Sequence, residues 1–148
     1  MSNRIIFLDF DGVLNTEHYQ NFLYHEGKPW QDEHGAFFDP EAIGQLRHII
    51  DATHADIVVE SSWKYLGLKA MQEMWEVRNM PGHVIDITPS TVSDSWLLNA
   101  NLDDLDPAIG HCKGMEIASW LSAHANKDTR YVIIDDESGM LPEQQPHF

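Results

Sequence analysis

Three short apolar runs in this chain each stop against acidic or hydroxyl residues, and that pattern restricts the fold more than any other. Ile5-Ile6-Phe7-Leu8 ends at Asp9, Ile57-Val58-Val59 runs into Glu60-Ser61-Ser62, and Tyr131-Val132-Ile133-Ile134 ends at Asp135-Asp136. Unbroken apolar runs of strand formers are what parallel strands need when helices cover both faces of a sheet. A weaker run of the same kind, Val84-Ile85-Asp86-Ile87, follows the Pro81-Gly82 break.

Helical patterns separate the runs. Asp39-Pro40 supplies an N-cap residue and a proline at the first helical position, and Ile43, Leu46 and Ile50 recur at helical spacing up to a predicted end near Thr53. After Ser61-Ser62 the spacing predicts a helix with Leu66, Ala70, Met74 and Val77 on its apolar face. A third helix is expected from Lys113 to Ala125, with Ile117, Trp120, Leu121 and His124 clustered. The tail from Glu137 reads as irregular, and Thr88 to Gly110 as an acid-rich loop or short extra helix. Alternating strands and helices predict an α/β, three-layer Rossmann-like fold with a central parallel sheet. The 148 residues fit one domain, 1–148.

In open sheets of this type ligands sit beyond the carboxyl ends of the strands. Asp9, Asp11, Ser61 and Asp135-Asp136 all follow predicted strands, so distant segments deliver polar groups to the same edge. Gly12 permits a tight turn directly after Asp11. In isolation the Asp9/Asp11 pair also suits a helix cap or a calcium ligand set, Ser61 a turn, and Lys113 a solvated helix start. Two acidic pairs at strand ends supply enough hard oxygen to hold Mg²⁺, which relieves the repulsion among carboxylates crowded together.

Charge limits the partners. Nine Lys and Arg against 24 Asp and Glu leave a net charge of −15, a field that repels phosphate backbones and anionic membranes. An extended nucleic-acid duplex is therefore disfavoured, whereas a small phosphorylated ligand is admissible once a divalent cation inverts the local potential. The single cysteine, Cys112, forms no intramolecular disulfide, which suits a reducing compartment. No apolar run reaches the roughly 18 residues of a membrane span and no secretory pattern opens the chain, so the expected location is cytoplasmic. The nine histidines have no ligand-like spacing with Cys112, and Asp103-Asp104-Leu105-Asp106 lacks the glycine turn and terminal glutamate of a calcium loop.

The runs FLDFDGVLN, VVESS and VIIDD, together with Lys113 at a helix start, resemble in order and spacing the four motifs of the haloacid dehalogenase-like (HAD) superfamily of phosphohydrolases. The SSWK segment and the short chain are similar to the small HAD domains of RNA-repair proteins. The resemblance implies a Mg²⁺-dependent phosphatase in which Asp9 is the nucleophile and forms an aspartyl-phosphate. Asp11 would be the general acid and then base, and its presence points away from dehalogenation and ion pumping. Ser61 would bind a phosphoryl oxygen, with Ser62 replacing it if the strand ends one residue later, and Lys113 would neutralise the phosphoryl group and Asp9. Gly12 and Lys64 join the expected substrate-binding set. The implied metal ligands are Asp9, the carbonyl of Asp11, and one carboxylate of Asp135 and Asp136, with Asp136 favoured and Asp135 orienting it or Lys113.

The interval Thr16 to Phe38 reads as a long loop or one helix, so a large cap domain is not expected. An open site suits a bulky substrate, or closure by a neighbouring subunit in a homo-oligomer. The expected substrates are a nucleotide, a nucleic-acid end or another phosphomonoester. Tyr19, Trp30 and Trp63 lie near the motifs, where they either stack on a base or pack in the core. A non-catalytic binding module of the same fold and a phosphotransferase are the competing readings.

Overall fold

A computed structural model describes residues 3–90, 112–136 and 140–148. In chain order its elements are β1 (Arg4–Leu8), α1 (Glu17–His25), β2 (Gln31–Asp32), β3 (Gly35–Ala36), α2 (Pro40–Thr53) and β4 (Asp56–Val59). A 3₁₀ helix (Ser62–Leu66), α3 (Leu68–Val77), β5 (Val84–Ile87), α4 (Cys112–His124), β6 (Arg130–Ile134) and a second 3₁₀ helix (Pro142–His147) follow. The four longer strands make a parallel sheet in the order β5-β4-β1-β6.

Because side chains alternate across a strand, β1 divides its apolar run between two layers. Ile6 and Leu8 join Ile57 and Val59 of β4 against Leu46 and Ile50 of α2 and Met71, Met74 and Trp75 of α3. Ile5 and Phe7 turn the other way, with Val58 and Ile133, onto Ile117 and Trp120 of α4. The result is the three-layer, Rossmann-like α/β arrangement expected from the sequence, with Asp9 directly after β1.

Helix α2 begins where Asp39 accepts a hydrogen bond from the Glu41 amide (2.9 Å) ahead of Pro40. Thr16 caps α1 by accepting from the Tyr19 amide, and its hydroxyl donates to Asp39 at 2.8 Å, so one bond joins the starts of two helices.

Three expectations about the elements change. The stretch after Ser61 is not one helix: the 3₁₀ turn ends at Gly67, whose φ of +98° suits glycine, and α3 starts afresh with a different phase. Leu66 and Val77, expected inside, are 51% and 64% exposed, while Met71, Met74 and Trp75 are buried. Thr16 to Phe38 holds a small antiparallel hairpin, Gln31–Ala36, besides its helix, and no large cap occurs among the described residues. The tail is partly ordered as the second 3₁₀ helix, which starts at Pro142 and buries Gln144. Most of the Thr88 to Gly110 segment, including Asp103 to Asp106, lies outside the described residues. No described helix is long and apolar enough to cross a membrane.

Candidate active site

The sheet ladder continues one residue past its strands and so fixes the first polar residue of each. The Asp9 amide donates to the Ile134 carbonyl (3.0 Å), the Glu60 amide to Leu8 (2.9 Å) and the Thr88 amide to Val59 (3.1 Å). Asp9 therefore sits at the end of β1 with only 4% of its surface exposed. Beyond it the chain folds into a tight loop in which the Phe10 carbonyl accepts from the amides of Val13, Leu14 and Asn15. Gly12, at φ +81°, serves this loop in two ways. The left-handed conformation suits glycine, and a Cβ there would come within 2.7 Å of the Asp136 Cγ.

Asp9, Asp135 and Asp136 form a group whose ligand oxygens all lie within 4.8 Å of one another. From the start of α4, Lys113 reaches into the group, its Nζ 3.3 Å from Asp9 Oδ2 and 3.1 and 2.9 Å from the two oxygens of Asp135. Burial and the Asp135 charge push the Asp9 carboxyl from 3.8 up to about 7, against the opposing pull of Lys113. The ammonium thus leaves negative charge uncompensated. Clustered carboxylate oxygens suit a hard divalent cation, so these residues fit the metal expected from the sequence.

Asp11 is exposed, two residues beyond Asp9. Its Oδ1 accepts from Asn15 Nδ2 at 2.7 Å and from Trp63 Nε1 at 3.1 Å. Ser61 is buried at the start of the 3₁₀ turn, where its Oγ accepts from the Trp63 amide at 3.3 Å. Ser62 opens that turn and is exposed.

Lys64, expected among the substrate-binding residues, is only 8% exposed, and its Nζ is held by Glu116 (2.9 Å), Thr88 Oγ1 (2.9 Å) and Glu60 (3.4 Å). Two carboxylates thus occupy the ammonium. Thr88 also donates to Glu60 Oε2. Burial first, then a hydrogen bond with and the charge of Glu116, raise the Glu60 carboxyl from 4.5 to about 8, opposed by Lys64 and Thr88.

The aromatic residues near the motifs divide similarly. Trp63 is half-buried, edge-on to Phe10 at 5.3 Å and tilted against Phe38 at 5.6 Å, so packing and the bond to Asp11 occupy it in place of a free stacking face. Tyr19 stacks on Phe22, and Trp30 is exposed. Sequence reasoning missed Asn15 and Trp63 as partners of Asp11 and Glu116 as a partner of Lys64. Only the i, i+4 spacing of Glu60 and Lys64 offered a local signal for the buried cluster.

The family described as "HAD domain in Swiss Army Knife RNA repair proteins" matches residues 5–148, and the chain belongs to it. Neither the curated proteins nor the solved structures give a match.

Proposed function

Taking that membership, and the phosphohydrolase-type role it suggests, as the premise, we propose that the chain is a Mg²⁺-dependent phosphomonoester hydrolase working through an aspartyl-phosphate on Asp9. The observation that carries this reading is the buried Asp9 carboxylate at the end of the central strand, faced by Lys113 and flanked by Asp135 and Asp136. Asp9, Asp136 and the Asp11 carbonyl would hold the ion, with Asp135 engaged mainly by Lys113. When bound, Mg²⁺ supplies positive charge that keeps Asp9 ionised and offsets the charge of the phosphoryl oxygens.

An Asp9 carboxylate oxygen attacks phosphorus, the bond from phosphorus to the ester oxygen breaks, and Asp11 gives that oxygen a proton. Lys113 stabilises charge as it spreads over the phosphoryl oxygens, and the Ser61 hydroxyl donates to one of them. Asp11 then takes a proton from water, whose oxygen attacks phosphorus. The bond from phosphorus to Asp9 breaks, freeing inorganic phosphate and the carboxylate.

The −15 net charge favours a short phosphorylated end over a long duplex. A nucleotide or polynucleotide end is the substrate class we propose, in keeping with the family's description. The test is hydrolysis of p-nitrophenyl phosphate and of 3′- and 5′-phosphorylated oligonucleotides, with and without magnesium, by wild type and Asp9→Asn. Magnesium-dependent turnover abolished by Asp9→Asn is expected. Turnover retained in that variant would refute the assignment.

A further inference from the structure

Asp11 is an exposed side chain on a loop, yet two N–H groups converge on one of its oxygens, Asn15 at 2.7 Å and the Trp63 indole at 3.1 Å. Among the described residues both donors fall on Oδ1, which leaves Oδ2 to carry a transferable proton and restrains the carboxyl. The second donor is itself fixed from three sides. Phe10 meets the Trp63 ring edge-on at 87°, Phe38 lies against it, and Gly35 of the hairpin sits so close that a Cβ there would be 2.7 Å from Trp63 Cη2.

The hairpin is in turn anchored. Arg78, at the end of α3, donates to the carbonyls of Ala36 and Gly35 (both 2.9 Å) and to Asp32 Oδ1 (2.8 Å), and its guanidinium lies 4.7 Å over the Phe38 ring. Contacts thus run without a gap from α3 through the hairpin and the indole to the carboxyl two residues beyond Asp9. Resting on the proposed reaction, we infer that Trp63, seated on the Gln31–Ala36 hairpin, is a positioning residue that aims Asp11 for proton delivery to the leaving oxygen. Six residues of hairpin thus orient the acid.

The consequence is specific to the leaving group. An alkoxide departs slowly unless protonated as the bond from phosphorus to oxygen breaks, whereas p-nitrophenolate departs without that help. A fault in aiming Asp11 therefore falls unevenly on the two kinds of ester, while a general loss of structure slows both alike. The measurement is kcat/KM, which covers steps up to the first ester cleavage, for p-nitrophenyl phosphate and a simple alkyl phosphate with magnesium.

Trp63→Phe keeps an aromatic ring and removes the N–H, and Gly35→Ala displaces the ring while leaving the indole intact. In each, the ratio of aryl to alkyl kcat/KM should rise roughly tenfold, a fraction of the 10²–10⁴ that a general acid supplies. In an Asp11→Asn background, Trp63→Phe should change the ratio no further. An unchanged ratio in both variants, or a change that persists without Asp11, overturns the inference while wild-type turnover and its loss in Asp9→Asn leave the proposed reaction standing. Turnover surviving in Asp9→Asn would sink the reaction and the positioning role together.

Discussion

Replacing Glu60 by glutamine should flatten the pH dependence of stability on the alkaline side. Glu60 is buried with Lys64 and Glu116, and its carboxyl ionises near 8 in the folded chain against 4.5 when unfolded. Between those values the folded state holds a proton that the unfolded state has released, so stability falls as pH rises. The contribution is complete below 4.5 and lost as pH passes 8. At 1.36 kcal/mol per pKa unit the whole shift corresponds to about 5 kcal/mol. Glutamine cannot ionise, keeps the volume and retains an N–H donor for Glu116, so Glu60→Gln imitates the protonated cluster. Urea unfolding from pH 5 to 9 is the assay. The variant should lie near wild type at the acid end and surpass it by several kcal/mol at the alkaline end. A wild-type minus variant difference that stays constant over that range would refute the idea of a proton held in this cluster.

Asp9→Asn, besides ending turnover, should raise the unfolding temperature in EDTA near pH 8, because the Asp9 pKa, raised from 3.8 to about 7, marks a carboxylate whose ionisation costs folding energy there. The same variant should gain less than wild type when magnesium is added, as followed by thermal unfolding. Lys113→Met removes the ammonium from between Asp9 and Asp135 and should cost about 3 kcal/mol in EDTA, measured by denaturant unfolding. Gly12→Ala forces a left-handed residue to carry a Cβ, a strain of about 1–2 kcal/mol, and pushes the Asp136 carboxylate aside. Calorimetric titration should then find magnesium bound at least several-fold more weakly than by wild type.

The strands were legible because Ile5 to Leu8, Ile57 to Val59 and Tyr131 to Ile134 are apolar on both faces, a demand that parallel pairing between helices writes directly into sequence. Helix α2 was legible for a local reason, since Asp39 and Pro40 are its cap and first residue. The phase of α3 was not, because Gly67 interrupts a pattern that runs smoothly on paper from Leu66 to Val77. A hairpin with two-residue strands leaves almost no periodic signal. In the candidate site, residues that follow strands were readable from position alone, as the meeting of Asp9, Asp135 and Asp136 illustrates. The ion pair of Lys64 was not legible, because its partner Glu116 lies 52 positions away in the sequence. For Trp63 both stacking on a base and packing were open from sequence, and only the tertiary approach of Asp11 and Gly35 shows what its nitrogen and ring meet.

The Asp9 amide is tied to the carbonyl of Ile134, and the strand behind it is sealed on both sides by the two apolar layers. Such an amide exchanges its hydrogen with solvent only when the whole sheet comes apart, so its protection should equal that of the slowest-exchanging backbone positions. The carboxylate is thereby mounted on the last part of the chain to loosen. A partly opened molecule would shed its periphery long before it misplaced that oxygen, and thermal softening of surface segments should leave the reactive corner in register until the chain melts as a unit.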